Sequence, residues 1–100
     1  MKVSHVSFWP PDDPSAPTVT LPKGIVVDNG AYTKLSVSDG LARSRDLPSD
    51  VGGWRVFVSR TIDDGIEHVY DGTVARTERA TGMAGRRRVF RCVPGGLRTR

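Results

Sequence analysis

The stretch GIVVDNGAYTKLSVS, residues 24–38, determines the fold that the sequence predicts. At its centre, Asn29-Gly30 supplies the positive φ that a tight hairpin turn requires. Before the turn lies a β-branched run, and after it Thr33, Leu35 and Val37 alternate with polar residues. Because side chains alternate between the two faces of a strand, this pattern predicts one apolar face. The stretch therefore predicts two antiparallel strands joined by a tight turn.

Three further dipeptides share this turn chemistry, namely Asp39-Gly40, Asp64-Gly65 and Asp71-Gly72. Short runs rich in β-branched and aromatic residues lie before, between and after these turns; they are residues 2–8, 54–62, 66–70, 73–78 and 87–93. Their lengths suit strands, and only residues 41–45, which Pro48 would end, favour a helical turn. The sequence thus predicts an all-β, antiparallel meander of five to seven strands, a barrel or a sandwich. Its size and hairpin count resemble the SH3-like and OB-like architectures.

The chain is expected to form one domain over residues 1–93, because 100 residues with 37% apolar content support a single core. Residues 9–22 hold five of the seven prolines and predict an extended arm across the surface, with Trp9 as its anchor. Residues 94–100 predict a flexible basic tail.

Localisation follows from what the sequence lacks. No window approaches the length of apolar sequence that a membrane span needs, and the N-terminus has no sustained apolar region typical of a secretion signal. The single cysteine, Cys92, has no intramolecular disulfide partner, as is usual in a reducing compartment. We expect a cytoplasmic protein without membrane contact.

Candidate catalytic residues are few. The two histidines, His5 and His68, have no metal-ligand spacing, and alternation points Cys92 inward beside Phe90. No phosphate-binding loop or nucleophile motif is present. The sequence therefore predicts a protein that is not an enzyme, with no metal, no cofactor and no small-molecule substrate.

Charge is segregated along the chain. Eight lysines and arginines against eleven acids precede Arg79, whereas the last 22 residues hold seven arginines and no acid. Such a cluster indicates contact with a polyanion, and we expect this polyanion to be nucleic acid. The predicted contact residues are Arg86, Arg87, Arg88, Arg91, Arg98 and Arg100. The aromatic residues that would add stacking contacts are Trp9, Trp54, Phe57 and Tyr70.

The same arginines fit an alternative, in which they pair with an acidic protein surface. The protein would then be a structural or assembly component, for example of a virus or phage particle, or an inhibitor. Self-association into a homo-oligomer and a virion-associated location belong to this alternative. A third interpretation is that acids within the fold neutralise the arginines, with Asp63, Asp64, Glu67 and Asp71 as the candidates.

Overall fold

The computed structural model describes residues 1–13, 15, 18–82 and 85–94. These residues form eight β-strands and one short helix. In chain order the elements are β1 (Lys2–Val3), β2 (His5–Trp9), β3 (Val19–Leu21), β4 (Gly24–Asp28), β5 (Thr33–Ser38), α1 (Asp39–Ser44), β6 (Arg55–Ile62), β7 (Gly65–Gly82) and β8 (Gly85–Pro94). In this described part of the chain, no helix is long and apolar enough to cross a bilayer.

All eight strands belong to one antiparallel sheet with the order β1-β4-β5-β8-β7-β6-β2-β3. The predicted all-β antiparallel class is therefore confirmed. The strand count exceeds the predicted five to seven, because two short strands, β1 and β3, flank the longer ones. The order also departs from a simple meander, since β5 pairs with β8 and β2 pairs with β6.

The sheet curls into a barrel-like form, and the first nine residues show how. Val3 of β1 pairs with Gly24, whereas His5 of β2 pairs with Ser59 near the opposite side of the strand order. Only Ser4 separates the two strands, and its amide donates to the carbonyl of Ser59 at 3.1 Å. Val3 and His5 are two Cα steps apart and can be separated by at most about 7 Å. The two sides of the sheet must therefore come together along β1 and β2.

The core lies inside this curl and follows the alternation of the strands. Thr33, Leu35 and Val37 are all buried, as the pattern of β5 predicts. The remaining buried hydrophobic residues come from most strands and from the segment that contains α1; they are Val3, Val6, Phe8, Leu21, Val26, Ala42, Leu47, Val51, Val56, Val58, Val74, Phe90 and Cys92. The helix and the loop after it thus cover part of the core that the sheet leaves open.

Two of the four predicted turns are confirmed. Gly30 has a φ of 94° in the loop between β4 and β5, and Gly65 has a φ of 143° after the turn between β6 and β7. The other two dipeptides serve different purposes. Asp39-Gly40 begins α1, whose N-cap hydroxyl on Ser38 accepts from the Leu41 amide at 3.3 Å. Asp71-Gly72 lies inside β7.

β7 is one 18-residue strand, where the sequence predicts two strands separated by that turn. Two irregularities bend it. Tyr70 opposes Val58 and His68 opposes Ser59, so Val69 is an extra residue. Ala75 is extra in the same way, between the residues that oppose Cys92 and Arg91. Such bulges increase the local twist and let one strand serve two neighbours as the sheet curls.

The proline-rich segment, residues 9–22, is only partly the extended arm that its composition predicts. Val19–Leu21 forms the edge strand β3, which pairs with β2, and Trp9 is the last residue of β2. An edge position tolerates the flanking prolines because one side of the strand needs no partner. Pro14, Ala16 and Pro17 lie outside the described residues, as do residues 95–100 of the predicted tail.

Candidate nucleic-acid interface

Strand β8 divides the arginine cluster between the two faces of the sheet. Arg88, Phe90 and Cys92 are buried on the inner face, whereas Arg87 and Arg91 are half-buried on the outer face. The predicted alternation of this strand is therefore confirmed. Arginines that are adjacent in the sequence therefore lie on opposite faces of the sheet.

Arg88 lies in the interior, with 2% of its surface exposed. Its Nε donates to Asp39 Oδ1 at 2.8 Å, and its Nη1 donates to the carbonyl oxygens of Leu47 at 3.0 Å and Pro48 at 3.2 Å. The assignment of Arg88 to a partner-binding surface therefore needs correction. Its charge is compensated within the fold, because a buried guanidinium requires an ion pair and hydrogen bonds.

Asp39 forms ion pairs with three arginines. Besides Arg88, Arg79 Nη1 lies 3.1 Å from Oδ1, and Arg43 Nε lies 3.5 Å from Oδ2. The hydrogen bond from Arg88 is the main cause that lowers the pKa of Asp39, and the positive charges act in the same direction, while burial opposes them. Internal neutralisation therefore occurs, although at a residue that the sequence interpretation did not name.

The acids that were named for this role have other surroundings. Glu67 pairs with Arg60 across the β6–β7 hairpin, and Asp71 Oδ2 lies 3.3 Å from His68 Nε2. Asp63 and Asp64 occupy the turn of that hairpin. Among the described residues, none of these four carboxylates forms an ion pair with the arginine cluster.

On the outer face, three cations form a row across adjacent strands. Lys34 of β5 is directly opposite Arg91, and Arg91 is directly opposite Arg76 of β7. Residues paired in this way share a face, with about 5 Å between their Cα atoms. Glu78 Oε2 lies 3.1 Å from Arg91 Nε and 3.6 Å from Arg76 Nε. The row therefore retains positive charge after this carboxylate is counted.

Tyr32 adds an aromatic ring at this row. The guanidinium carbon of Arg91 lies 4.7 Å from the centre of the Tyr32 ring, a cation–π contact. This contact and the Glu78 ion pair fix the direction of the Arg91 side chain. In this first row, consisting of Lys34, Arg91 and Arg76, the guanidinium of Arg91 is held in place between two more exposed cations.

A second group of cations lies at the other end of β8 on the same face. Arg87 is directly opposite Ser38 of β5, and Ile25 of β4 is opposite both Lys2 and Ser36. Continuing the register of β4 by two residues places Lys23 beside Ser38. Lys2, Lys23 and Arg87 line one cleft. Together with the first row they form the outer basic face, consisting of Lys2, Lys23, Lys34, Arg76, Arg87 and Arg91.

Four of these six residues lie outside the predicted arginine cluster. Lys2, Lys23, Lys34 and Arg76 are scattered over the sequence, and only the pairing of distant strands brings them together. Alternation in residues 31–38 already placed Lys34 on the polar face of its strand, which is the one local signal. Arg86 is exposed near the β7–β8 turn, with the opposite alternation to Arg87. Arg98 and Arg100 lie outside the described residues.

None of the four predicted aromatic contacts pairs with a residue of the outer basic face or lines its cleft. Tyr70 packs against the core, and burial raises its pKa to about 12. Trp54 also packs against the core, and Trp9 is half-buried at the end of β2. Phe57 is 40% exposed and stacks on His68, with ring centres 4.8 Å apart. The aromatic group that joins the outer basic face is Tyr32.

The candidate catalytic residues are separated from one another. Cys92 is buried as predicted, and burial raises the pKa of its thiol to about 12, so the thiolate is disfavoured. His68 is exposed, since the bulge at Val69 places it beside Phe57 and not with Tyr70 on the inner face. Within the described ranges, no three His, Cys, Asp or Glu side chains form a group suited to a metal ion.

Comparison of the chain with protein-family models, with curated proteins and with solved structures finds no match.

Proposed function

We propose that this protein is a non-enzymatic binding module that contacts a polyanion, namely nucleic acid, through the outer basic face. The observation that carries the proposal is the convergence of six cations from distant parts of the chain on one face of the sheet. Glu78 compensates part of the charge of two of them. Phosphate groups are the ligands that such a surface attracts most strongly.

The arrangement of the face supports an extended ligand. Arg87 and Arg91 are four residues apart on β8, which corresponds to about 13 Å along the strand. Lys34 and Arg76 flank one end of this line, and Lys2 and Lys23 flank the other. A phosphate chain that follows β8 would therefore meet cations at both ends of its path.

The test is fluorescence-anisotropy binding of single- and double-stranded oligonucleotides at several salt concentrations. Lys34→Ala should weaken binding and reduce the slope of log affinity against log salt by about 0.7 to 0.9, since it removes one phosphate contact. Arg86→Ala is the matched control, because it removes the same charge from outside the face. Equal effects of the two variants, or no binding at low salt, would refute the proposed surface.

A second candidate is self-association, and the β6–β7 hairpin favours it. Residues 61–71 carry four acids and no lysine or arginine. The same hairpin exposes Ile62 at 42% and Ile66 at 68%. Exposed apolar side chains within an acidic segment complement the outer basic face, where Ile25 and Val27 are also exposed. The hairpin of one copy would dock on the outer basic face of the next copy.

Light scattering of the purified protein at low and high salt tests this second candidate. The expected result is an oligomer at low salt that dissociates with salt, with an oligonucleotide, or with Ile66→Ser. Thr81→Ala, on the opposite hairpin, is the control that should leave the oligomer intact. A monomer at every protein concentration under low salt would exclude the assembly.

A further inference from the structure

A cleft of about 540 Å³ opens on the outer basic face beside the start of α1. Its polar wall consists of Lys2, Ser4, Lys23, Ser38 and Arg87, and the described residues that line it include no acid. The remainder of the wall is mostly apolar, with Ile25 and Leu41 among the contributors. The cleft therefore combines three positive charges with two hydroxyl groups and a partly apolar boundary.

Arg87 is fixed at this cleft. Its Nε donates to Ser36 Oγ at 2.8 Å, and its Nη2 donates to the Ser36 carbonyl at 3.0 Å. A guanidinium has five N–H groups, so these two bonds use fewer than half of its donors. They hold the planar group in one orientation, which reduces the entropy that a ligand would lose on binding.

The two lysines lie within reach of the same ligand. In the extended register, Lys23 is adjacent to Ser38, and Arg87 is opposite Ser38 on the next strand. Two strand spacings correspond to about 10 Å between the Cα atoms of Lys23 and Arg87. Lys2 is a diagonal neighbour of Lys23 on the β1–β4 pair, at about 7 to 8 Å. Side chains of this length can converge on one small anion from three directions.

We propose that this cleft binds a phosphomonoester dianion, which is either the terminal phosphate of an oligonucleotide or a free phosphate compound. A monoester carries a charge of about −1.5 to −2 at neutral pH, and each internal diester carries only one negative charge. Three converging cations therefore favour the monoester. The terminal-phosphate form of this proposal rests on the proposed polyanion function, whereas the free-phosphate form does not.

The first experiment compares oligonucleotides of one sequence with a 5′-phosphate, a 3′-phosphate or hydroxyl groups at both ends, by anisotropy at fixed salt. At least one phosphorylated form should bind about fivefold more tightly, because of the added charge in the cleft. Lys23→Ala should remove this preference. Lys34→Ala, on the first row of cations, should weaken all three ligands equally and keep the preference.

The second experiment titrates the protein with inorganic phosphate and follows backbone amides by NMR, with sulfate at matched ionic strength as the control. Saturable shifts centred on Lys23, Ser38 and Arg87 would support the cleft even if no oligonucleotide bound, and the proposed function alone would then fail. Shifts without any oligonucleotide preference would assign a free phosphate compound as the ligand. Equal affinity for the three oligonucleotides, together with no localised shift, would overturn the proposal.

Discussion

Arg88 joins β8 to α1 through a buried ion pair with Asp39, and to the loop after α1 through two hydrogen bonds to carbonyl groups. Replacing it by alanine would leave the carbonyl groups of Leu47 and Pro48 without these donors and would open a void in the interior. Removing one member of a buried pair costs about 3 to 5 kcal/mol of the free energy of unfolding. Arg88→Ala should therefore lower the urea midpoint strongly, and Arg86→Ala should leave it nearly unchanged. Equal midpoints for the two variants would contradict the buried assignment.

Asp39 gives the protein a specific acid sensitivity. Its folded-state pKa is lowered, chiefly by the Arg88 hydrogen bond, relative to an unfolded value of about 3.9. A lowered carboxyl pKa stabilises the fold above the unfolded value, and this contribution is lost as the pH falls through the folded value. The free energy of unfolding of the native protein should therefore exceed that of Asp39→Asn by a constant amount above about pH 5.

Below about pH 4 this difference between the two proteins should shrink, because Asp39 takes up a proton in the unfolded chain while the folded protein keeps the carboxylate ionised. Urea unfolding of both proteins from pH 2 to pH 7 measures the effect. Comparison with Asp39→Asn separates the effect from that of the other carboxyl groups, since both proteins share them. A difference that stays constant down to pH 2 would show that Asp39 keeps an ordinary pKa.

At the scale of elements, Gly72 shows why β7 can continue where the sequence predicts a turn. A Cβ at this position would overlap the carbonyl oxygen of Val93 and lie 2.6 Å from the Tyr70 hydroxyl. The glycine therefore permits a close approach of β7 to β8 between the two bulges. Glycine is needed at this position because it has no side chain, and not because the backbone has a positive φ.

Gly72→Ala should consequently lower the free energy of unfolding by about 1 to 3 kcal/mol, the usual cost of overpacking. Gly82→Ala is the matched control in the same strand, where a Cβ would meet no atom within 4 Å. It should stabilise the protein slightly, by about 0.5 to 1 kcal/mol, since alanine restricts the unfolded chain. Chemical denaturation of the two variants measures both effects, and a neutral Gly72→Ala would contradict the close approach.

Local patterns predicted those elements whose signals lie within a few residues. The hairpin at Asn29-Gly30 and the buried face of β5 follow from turn chemistry and alternation alone. Asp71-Gly72 has the same local chemistry as a turn, but its backbone is determined by contact with Val93, 21 positions away. A dipeptide signal cannot distinguish a glycine that turns the chain from one that admits a neighbouring strand. Strand β7 was therefore divided in the sequence interpretation.

For the whole molecule, the same limit explains the revised binding surface. Alternation correctly pointed Cys92 inward beside Phe90, and Arg88 shares that buried face although its charge suggested exposure. Its partner Asp39 lies 49 positions earlier in the sequence, and no local pattern predicts this ion pair. Conversely, Lys34 and Arg76 were not assigned to the binding surface from the sequence. They join the outer basic face because β8 pairs with β5 and with β7. Charge composition predicted that the protein has a basic surface, but the pairing of the strands determines which residues form it.

Cys92 allows the cooperativity of the whole barrel-like sheet to be measured. Its thiol is fully buried and its pKa is raised to about 12, so a thiol reagent at pH 8 can react only after the structure opens. For a small domain with about 5 kcal/mol of stability, labelling in native buffer should be slower than in urea by about 10³ to 10⁴.

If Cys92 becomes accessible only when the entire sheet unfolds, each destabilising substitution should accelerate its labelling by the full loss of stability. Val6→Ala, a core substitution on β2, which is three strands from β8 in the sheet order, should then increase the rate about tenfold for every 1.4 kcal/mol that denaturation reports. Labelling that is fast in native buffer would show that the inner face of β8 opens locally. Because β8 pairs with β5 on one side and β7 on the other, and its inner side chains pack in a shared core, we expect global unfolding to control the reaction.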